Sequence, residues 1–245
     1  MTALGRLSPA RIAPALERRV QMLRHRGDAV LCPLCGHGFD RFKDDWNRGN
    51  ALCWRCGSHE RHRAQWLVLN GPRQLLRDPR SLLHFAPEWA LRHRLQQRRD
   101  LSYVTADLHM RDVDLRLDVT ALDLPDASFD AVLCSHVLEH VEDDAAAMRE
   151  LARVTAPGGW CLVMVPLDLG RRETYEDPAI TAPQERVRAF LQHDHVRLYA
   201  PDIGDRLRDA GFEVERIQPA RELGAETLRR CRINQADELW LCRPR

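Results

Sequence analysis

From Ser81 onward the chain is written as short apolar runs alternating with helical stretches, and that alternation limits the fold more than any other feature. "SLLHFA" reads as a buried strand and "PEWALRHRLQQR" as a helix. "LSYVTADL" is a second strand, and "VDLRLDVTAL" contains a short third. "FDAVLCSHVLEHV" begins as a strand and ends as a loop, and "DDAAAMRELARVT" is an amphipathic helix closed by Pro157-Gly158-Gly159. "WCLVMVPLD" is apolar enough to be buried on both faces. "PDIGDRLRDAGF" is a further helix, and "EVERIQ" and "ELWLCR" are terminal strands. Strands and helices in strict alternation predict an α/β fold with a doubly wound, mostly parallel sheet. The final pair of strands predicts an antiparallel edge.

Ahead of this region the chain differs in character. Residues 9–26 are helix-like, with Ile12, Leu16, Val20 and Leu23 on one face. Residues 28–58 are short-ranged and rich in Cys, Gly and Asp, and "HERHRAQWLVLN" is a helix ended by Gly71-Pro72. The predicted division is a helical segment over 1–27, a cysteine-bearing module with its following helix over 28–70, and the α/β domain over 71–245. A polar insertion at 168–200 interrupts that domain. With 245 residues and 44% hydrophobic content the chain can bury a substantial core. A net charge of +1 provides no global field for nucleic acid or membrane. The first 30 residues lack the roughly 7–15-residue apolar core of a signal peptide, and no run reaches the ~18 apolar residues of a membrane span. The chain is therefore expected to be cytoplasmic, with no membrane partner. The sequence leaves its oligomeric state open.

Cys32-Pro-Leu-Cys35 and Cys53-Trp-Arg-Cys56 are two C-x2-C knuckles separated by 17 residues. Each places two thiolates on one side of a turn, and together they supply the four tetrahedral ligands that Zn²⁺ takes in a ribbon module. Gly36 and Gly57 follow the second cysteine of each knuckle, where the turn needs freedom in φ. Because all four positions are filled by protein, the expected zinc is structural. Cys134, Cys161, Cys231 and Cys242 lie in apolar settings and are expected to be buried thiols. Arg55, His59, Arg61, His62 and Arg63 make a local basic face, read either as a solvated helix surface or as an RNA contact.

The stretch from Asp118 to Leu167 carries a resemblance. An Asp at 118, "LP" at 124–125, "SFD" at 128–130, "HVLEHV" at 136–141 and "APGG" before a strand follow one another. This series resembles the class I S-adenosylmethionine-dependent methyltransferases of the type 11 group, most clearly over residues 80–165. The resemblance implies a seven-stranded Rossmann-like sheet and S-adenosylmethionine as cofactor. Asp107, with Leu108 after it, ends the second strand, where a carboxylate accepts hydrogen bonds from ribose hydroxyls. Asp118 and the amide of Val119 match the family position for adenine. Ser135, His136 and Leu138 follow the fourth strand and are expected at the sulfonium end. The chain departs from the family after its first strand. An acid and G-x-G-x-G are usual there, but this chain has His84-Phe85-Ala86-Pro87-Glu88 and no glycine between Gly71 and Gly158. Ala86 and Glu88 are expected to hold the methionine end instead.

Candidate catalytic residues are His193, Asp194 and His195 of "QHDHVRLY", with His140 of "LEH". An Asp between two histidines can orient an imidazole base. His140 and Glu139 serve equally well to orient their loop. Arg171, Tyr175, Arg197 and Tyr199 are candidate substrate contacts. The elements "HFAPE", "TYED" and "HDHVR" are similar to those of a bacterial subgroup of zinc-ribbon methyltransferases. Three functions follow: methyl transfer to an O or N nucleophile of a small molecule such as a sugar or specialised metabolite, methyl transfer to rRNA or tRNA gripped by the ribbon, or non-catalytic binding by a degenerate fold.

Overall fold

The computed structural model describes residues 9–46 and 48–245, with side chains from Glu17 onward. Its centre is a seven-stranded sheet. The strands, numbered in chain order, are β1 (Ser81–Phe85), β2 (Ser102–Asp107), β3 (Leu115–Arg116), β4 (Phe129–Ser135), β5 (Thr155–Met164), β6 (Phe212–Ile217) and β7 (Leu239–Pro244). They lie in the order β3-β2-β1-β4-β5-β7-β6. β1 runs parallel to β2 and β4, β2 to β3 and β4 to β5, while β7 is antiparallel to both β5 and β6. The strand order reverses between β1 and β4, and a ligand cleft opens at the carboxyl ends of such neighbours.

Alternation along each strand explains why both faces are covered. Leu82, Leu133 and Leu162 point to one side, and Leu83, Val132 and Val163 to the other. The helices are α1 (Pro9–Arg24), α2 (Glu60–Asn70), α3 (Trp89–Leu95), α4 (Asp144–Val154), α5 (Pro183–Phe190), α6 (Ile203–Asp209), α7 (Pro219–Glu222) and α8 (Ala225–Cys231). α4 and α6 cover the second face through Met148, Leu151, Ile203 and Leu207. α2 and α3 cover the first face, joined by Leu34, Phe39 and Phe42 of the cysteine-bearing segment. Those three side chains are fully buried, each worth roughly 1.5–3 kcal/mol of apolar burial. The cysteine segment consists of two antiparallel pairs, Arg26–Cys32 with His37–Phe39 and Lys43–Asp45 with Arg48–Leu52.

Arg63 locks this segment to the domain. It is fully buried on α2 and donates to the carbonyls of Ala51 (2.9 Å), Ser58 (2.7 Å) and Cys231 (2.6 Å), with its guanidinium over the Phe42 ring. The insertion at 168–200 forms a small antiparallel pair, Tyr175–Glu176 with Arg197–Leu198, around α5.

Two local expectations are corrected. Val20 and Leu23 of α1 are exposed and Met22 packs on the core instead, because the helix ends at Arg24 and its register presents that side. Ile12 and Leu16 lie outside the described side chains. Pro157-Gly158-Gly159 does not close α4. The helix ends at Val154, with Thr155 Oγ1 donating to the Leu151 carbonyl, and the Pro-Gly-Gly run forms an irregularity at the start of β5.

Candidate functional site

The four predicted cysteines meet. Cys32 Sγ lies 3.5 Å from Cys56 Sγ, and Cys35 Sγ lies 3.6 Å from Cys53 Sγ. All four sulfurs fall within 4.8 Å of one another. Four thiolates around one zinc, with Zn–S bonds of about 2.3 Å, stand about 3.8 Å apart. These spacings therefore fit a tetrahedral ion and are far too long for disulfides. The knuckles are matched: Gly36 and Gly57 have φ of +71° and +66°, and their amides donate to the carbonyls of Cys32 and Cys53. The buried Ser58 hydroxyl sits 3.2 Å from Cys32 Sγ.

A cavity of about 500 Å³ opens at the carboxyl ends of β1, β2 and β4. Of the residues expected on the cofactor, Ala86, Asp107, Leu108, Asp118, Val119 and His136 line it, and so do His140 and Asp194. Asp107 ends β2, and its Oδ1 accepts from the amides of His109 (2.6 Å) and Met110 (2.7 Å). That turn fixes the carboxylate at the cavity wall. Asp118 accepts from the amide and hydroxyl of Thr120, which hold its carboxyl below the usual range and keep it charged. Ser135 and Leu138 are buried beside the cavity rather than on its wall. Leu138 belongs to the core under α4, because the turn after β4 carries its side chain inward.

The glycine-free junction keeps the backbone shape that glycine usually provides. Ala86 has a φ of +45°, and its amide donates to the Ala106 carbonyl. Glu88 turns away from the cavity, into the space between α3 and α2. Its Oε2 accepts from His84 Nε2 at 3.1 Å, and the other His84 nitrogen accepts from the Tyr103 hydroxyl at 2.8 Å. His62 Nε2 stands 3.8 Å from Glu88 Oε1, and neither atom has a hydrogen-bond partner. Burial raises the Glu88 carboxyl, but the His84 hydrogen bond and the nearby imidazoles outweigh it and leave it at about 2. Burial also lowers His62 to about 3, so this imidazole is neutral near pH 7.

The insertion is placed differently from expectation. Arg197, expected on substrate, is buried, and its guanidinium is consumed internally. It donates to Glu176, to the Leu138 and Glu142 carbonyls and to that of Val141. Tyr199 is buried, and its hydroxyl donates to Asp144 at 2.7 Å. Both act as struts, because the strand Arg197–Leu198 faces the loop after β4. Tyr175 packs on Phe190, and Arg171 is tied to Asp168 at the surface. His193 is exposed. His195 is 2% exposed, with Nδ1 donating to the Phe190 carbonyl at 3.0 Å. Burial lowers its pKa. None of Arg171, Tyr175, His193, His195, Arg197 or Tyr199 lines the cavity.

A second cavity, of about 920 Å³, adjoins the first at His136. Besides His136, four parts of the chain line it: the cysteine segment at Arg48–Asn50, the start of α2 at Glu60 and Arg61, the end of β5 and the residues after it at Met164–Leu167, and the stretch from α8 to β7 that carries Arg229, Arg232 and Asp237. Asp237 is the residue that sequence reasoning missed. Burial, with the charge of Glu60 added, pushes its carboxyl up to about 6, and its Oδ2 has no partner. "RINQADE" is a polar run ahead of a strand and offers no signature beyond that. His62 and Arg63 are buried, so the expected basic face does not exist as a continuous surface.

Residues 90–163 match the family model described as a methyltransferase domain. A Mycolicibacterium smegmatis protein named "Probable S-adenosylmethionine-dependent methyltransferase" is 39% identical over 105 residues, 42% of this chain and 36% of that protein. A demethylmenaquinone methyltransferase of Mycobacterium sp. (strain KMS) is 34% identical over 106 residues, 42% of this chain and 46% of that protein. The chain thus spans less than half the length of these relatives. A crystal structure of a SAM-dependent methyltransferase from Archaeoglobus fulgidus superposes with a TM-score of 0.50 at 13% identity, covering 76% of this chain and 95% of that one, which shows a shared fold. No described helix is long and apolar enough to cross a membrane. Residues 90–163 thus carry the sequence pattern of a methyltransferase domain, and the seven-stranded sheet that holds them has the Rossmann-like methyltransferase fold.

Proposed function

We propose that this chain transfers a methyl group from S-adenosylmethionine to an oxygen or nitrogen of a small, anionic acceptor, and that its four cysteines hold a structural zinc ion. The observation that carries the reading is the meeting of two cavities at His136, one with the carboxylates of a nucleoside site and one of acceptor size. When bound, the cofactor supplies an electrophilic methyl group for in-line displacement. Asp107 would hold the ribose, Asp118 and Val119 the adenine, and the backbone at Ala86 the methionine end. Glu88 stays engaged with His84 and orients the junction. Arg48, Arg229 and Arg232, exposed on the rim of the second cavity, suit a carboxylate or phosphate on the acceptor. Asp237, with a pKa near 6, is poised to take the acceptor's proton. A basic face broken up by burial favours a small acceptor over RNA.

The test is a labelled-methyl assay against anionic small metabolites and total RNA, with cofactor binding followed by calorimetry. Label entering small metabolites is expected, with Asp237→Asn lowering kcat on the order of 100-fold at nearly unchanged affinity for S-adenosylhomocysteine. Label in RNA alone would overturn the acceptor assignment. Failure to bind cofactor would leave the fold as a binding module.

A further inference from the structure

We propose that Glu139, His140 and His195 form a divalent transition-metal site of the two-histidine, one-carboxylate type, separate from the four cysteines. Their ligand atoms lie within 4.8 Å of one another. Around one ion with bonds of about 2.1 Å such atoms stand about 3–4 Å apart, so small rotamer adjustments close the site. Glu139 is 1% exposed and His195 2%, yet Glu139 Oε2 and His195 Nε2 have no hydrogen-bond partner. Buried polar atoms are almost always paired, so two orphans within one three-residue cluster of ligand-type side chains mark a missing ligand.

The surroundings prepare each ligand. His195 Nδ1–H donates to the Phe190 carbonyl, which leaves the Nε2 lone pair free. His140 Nδ1 lies 3.3 Å from Asp194 Oδ2, which frees its Nε2 in the same way. Glu139 Oε1 accepts from His136 Nδ1 at 3.1 Å and so presents Oε2. In this tautomer His195 Nε2 carries no proton, so it cannot satisfy Glu139 directly. The ligands come from the loop after β4 and the loop after α5, which already meet through the Val196 amide and the Glu139 carbonyl at 2.9 Å. An ion here would fasten the insertion to that loop and fix His140 at the cavity wall. Imidazole and carboxylate donors suit Zn²⁺, Mn²⁺, Fe²⁺ or Co²⁺.

The experiment titrates Zn²⁺, and in parallel Co²⁺, into the full chain already carrying one equivalent of Zn²⁺ on its cysteines. A second equivalent is expected, and Co²⁺ taken up there should show weak visible bands without thiolate charge transfer. Glu139→Gln and His195→Asn should weaken the second equivalent at least about tenfold while leaving the cysteine-bound equivalent in place. His140→Asn, at a half-exposed position, makes the same test without disturbing the core. A single equivalent in the unaltered protein, or a second equivalent that all three variants retain, would overturn the site.

Discussion

Ala86 holds a left-handed backbone without being glycine. For an alanine this conformation costs about 1 kcal/mol, and the cost is tolerated because the Ala86 amide bonds to β2 while Pro87 is buried ahead of α3. Ala86→Gly should therefore raise the melting temperature, by about 2–4 °C, or leave it unchanged; a clear fall in a thermal melt would show that the alanine methyl is needed for packing. Asp237 makes a pH prediction. Its folded pKa of about 6 lies above the ordinary carboxylate value of 3.8, because burial and the Glu60 charge oppose ionisation, with His136 and Arg61 opposing them only in part. Between about pH 4 and 6 the folded state thus binds more protons than the unfolded state, and this group's stabilisation is lost as pH rises through that window. Asp237→Asn should show a melting temperature that exceeds the unaltered protein's increasingly up to about pH 6 and by a constant margin above it. Equal pH profiles for the two proteins would remove Asp237 from this role.

At the scale of elements, the loop after β4 is held from outside by the insertion. Arg197 spans from the strand Arg197–Leu198 to three carbonyls of that loop and to Glu176. Arg197→Met would leave those acceptors buried and unpaired, and a loss on the order of 3 kcal/mol is expected in denaturant unfolding, with weaker cofactor binding because the cavity wall moves. Arg197→Lys should recover only part of this, since one ammonium cannot replace a fork of donors. In "HDHVRLY" the sequence shows ionisable residues of catalytic type, and the structure makes two of them struts. Residue type alone cannot reveal this, because a buried Arg and a substrate-binding Arg differ only in what faces them. The strands were legible for the opposite reason: their apolar runs are local, and both sheet faces demand them. The Pro-Gly-Gly run was misread because glycines that end a helix also permit an irregular strand.

At the scale of the molecule, the cysteine segment and the sheet share one continuous apolar core, running from Phe39 and Phe42 through Leu69 and Leu91 to Leu133 and Leu162. Removing the proposed zinc ion from the cysteines should therefore destabilise the whole chain, not just the cysteine segment. A chelator strong enough to strip the site is expected to lower a single cooperative melting transition by at least about 10 °C; a two-step melt with an unshifted main transition would show that the ribbon is energetically independent. The sequence by itself determined the sheet, the four thiolates and the carboxylates Asp107 and Asp118, because strand periodicity, knuckle spacing and strand-end position are all short-range properties. Only the tertiary structure decided which segments wall the second cavity, that Asp237 faces it, that Glu88 turns towards His62, and that Glu139 meets His195. Each of these depends on how segments distant along the chain dock against one another, and on the burial that then sets the charge of the groups they enclose.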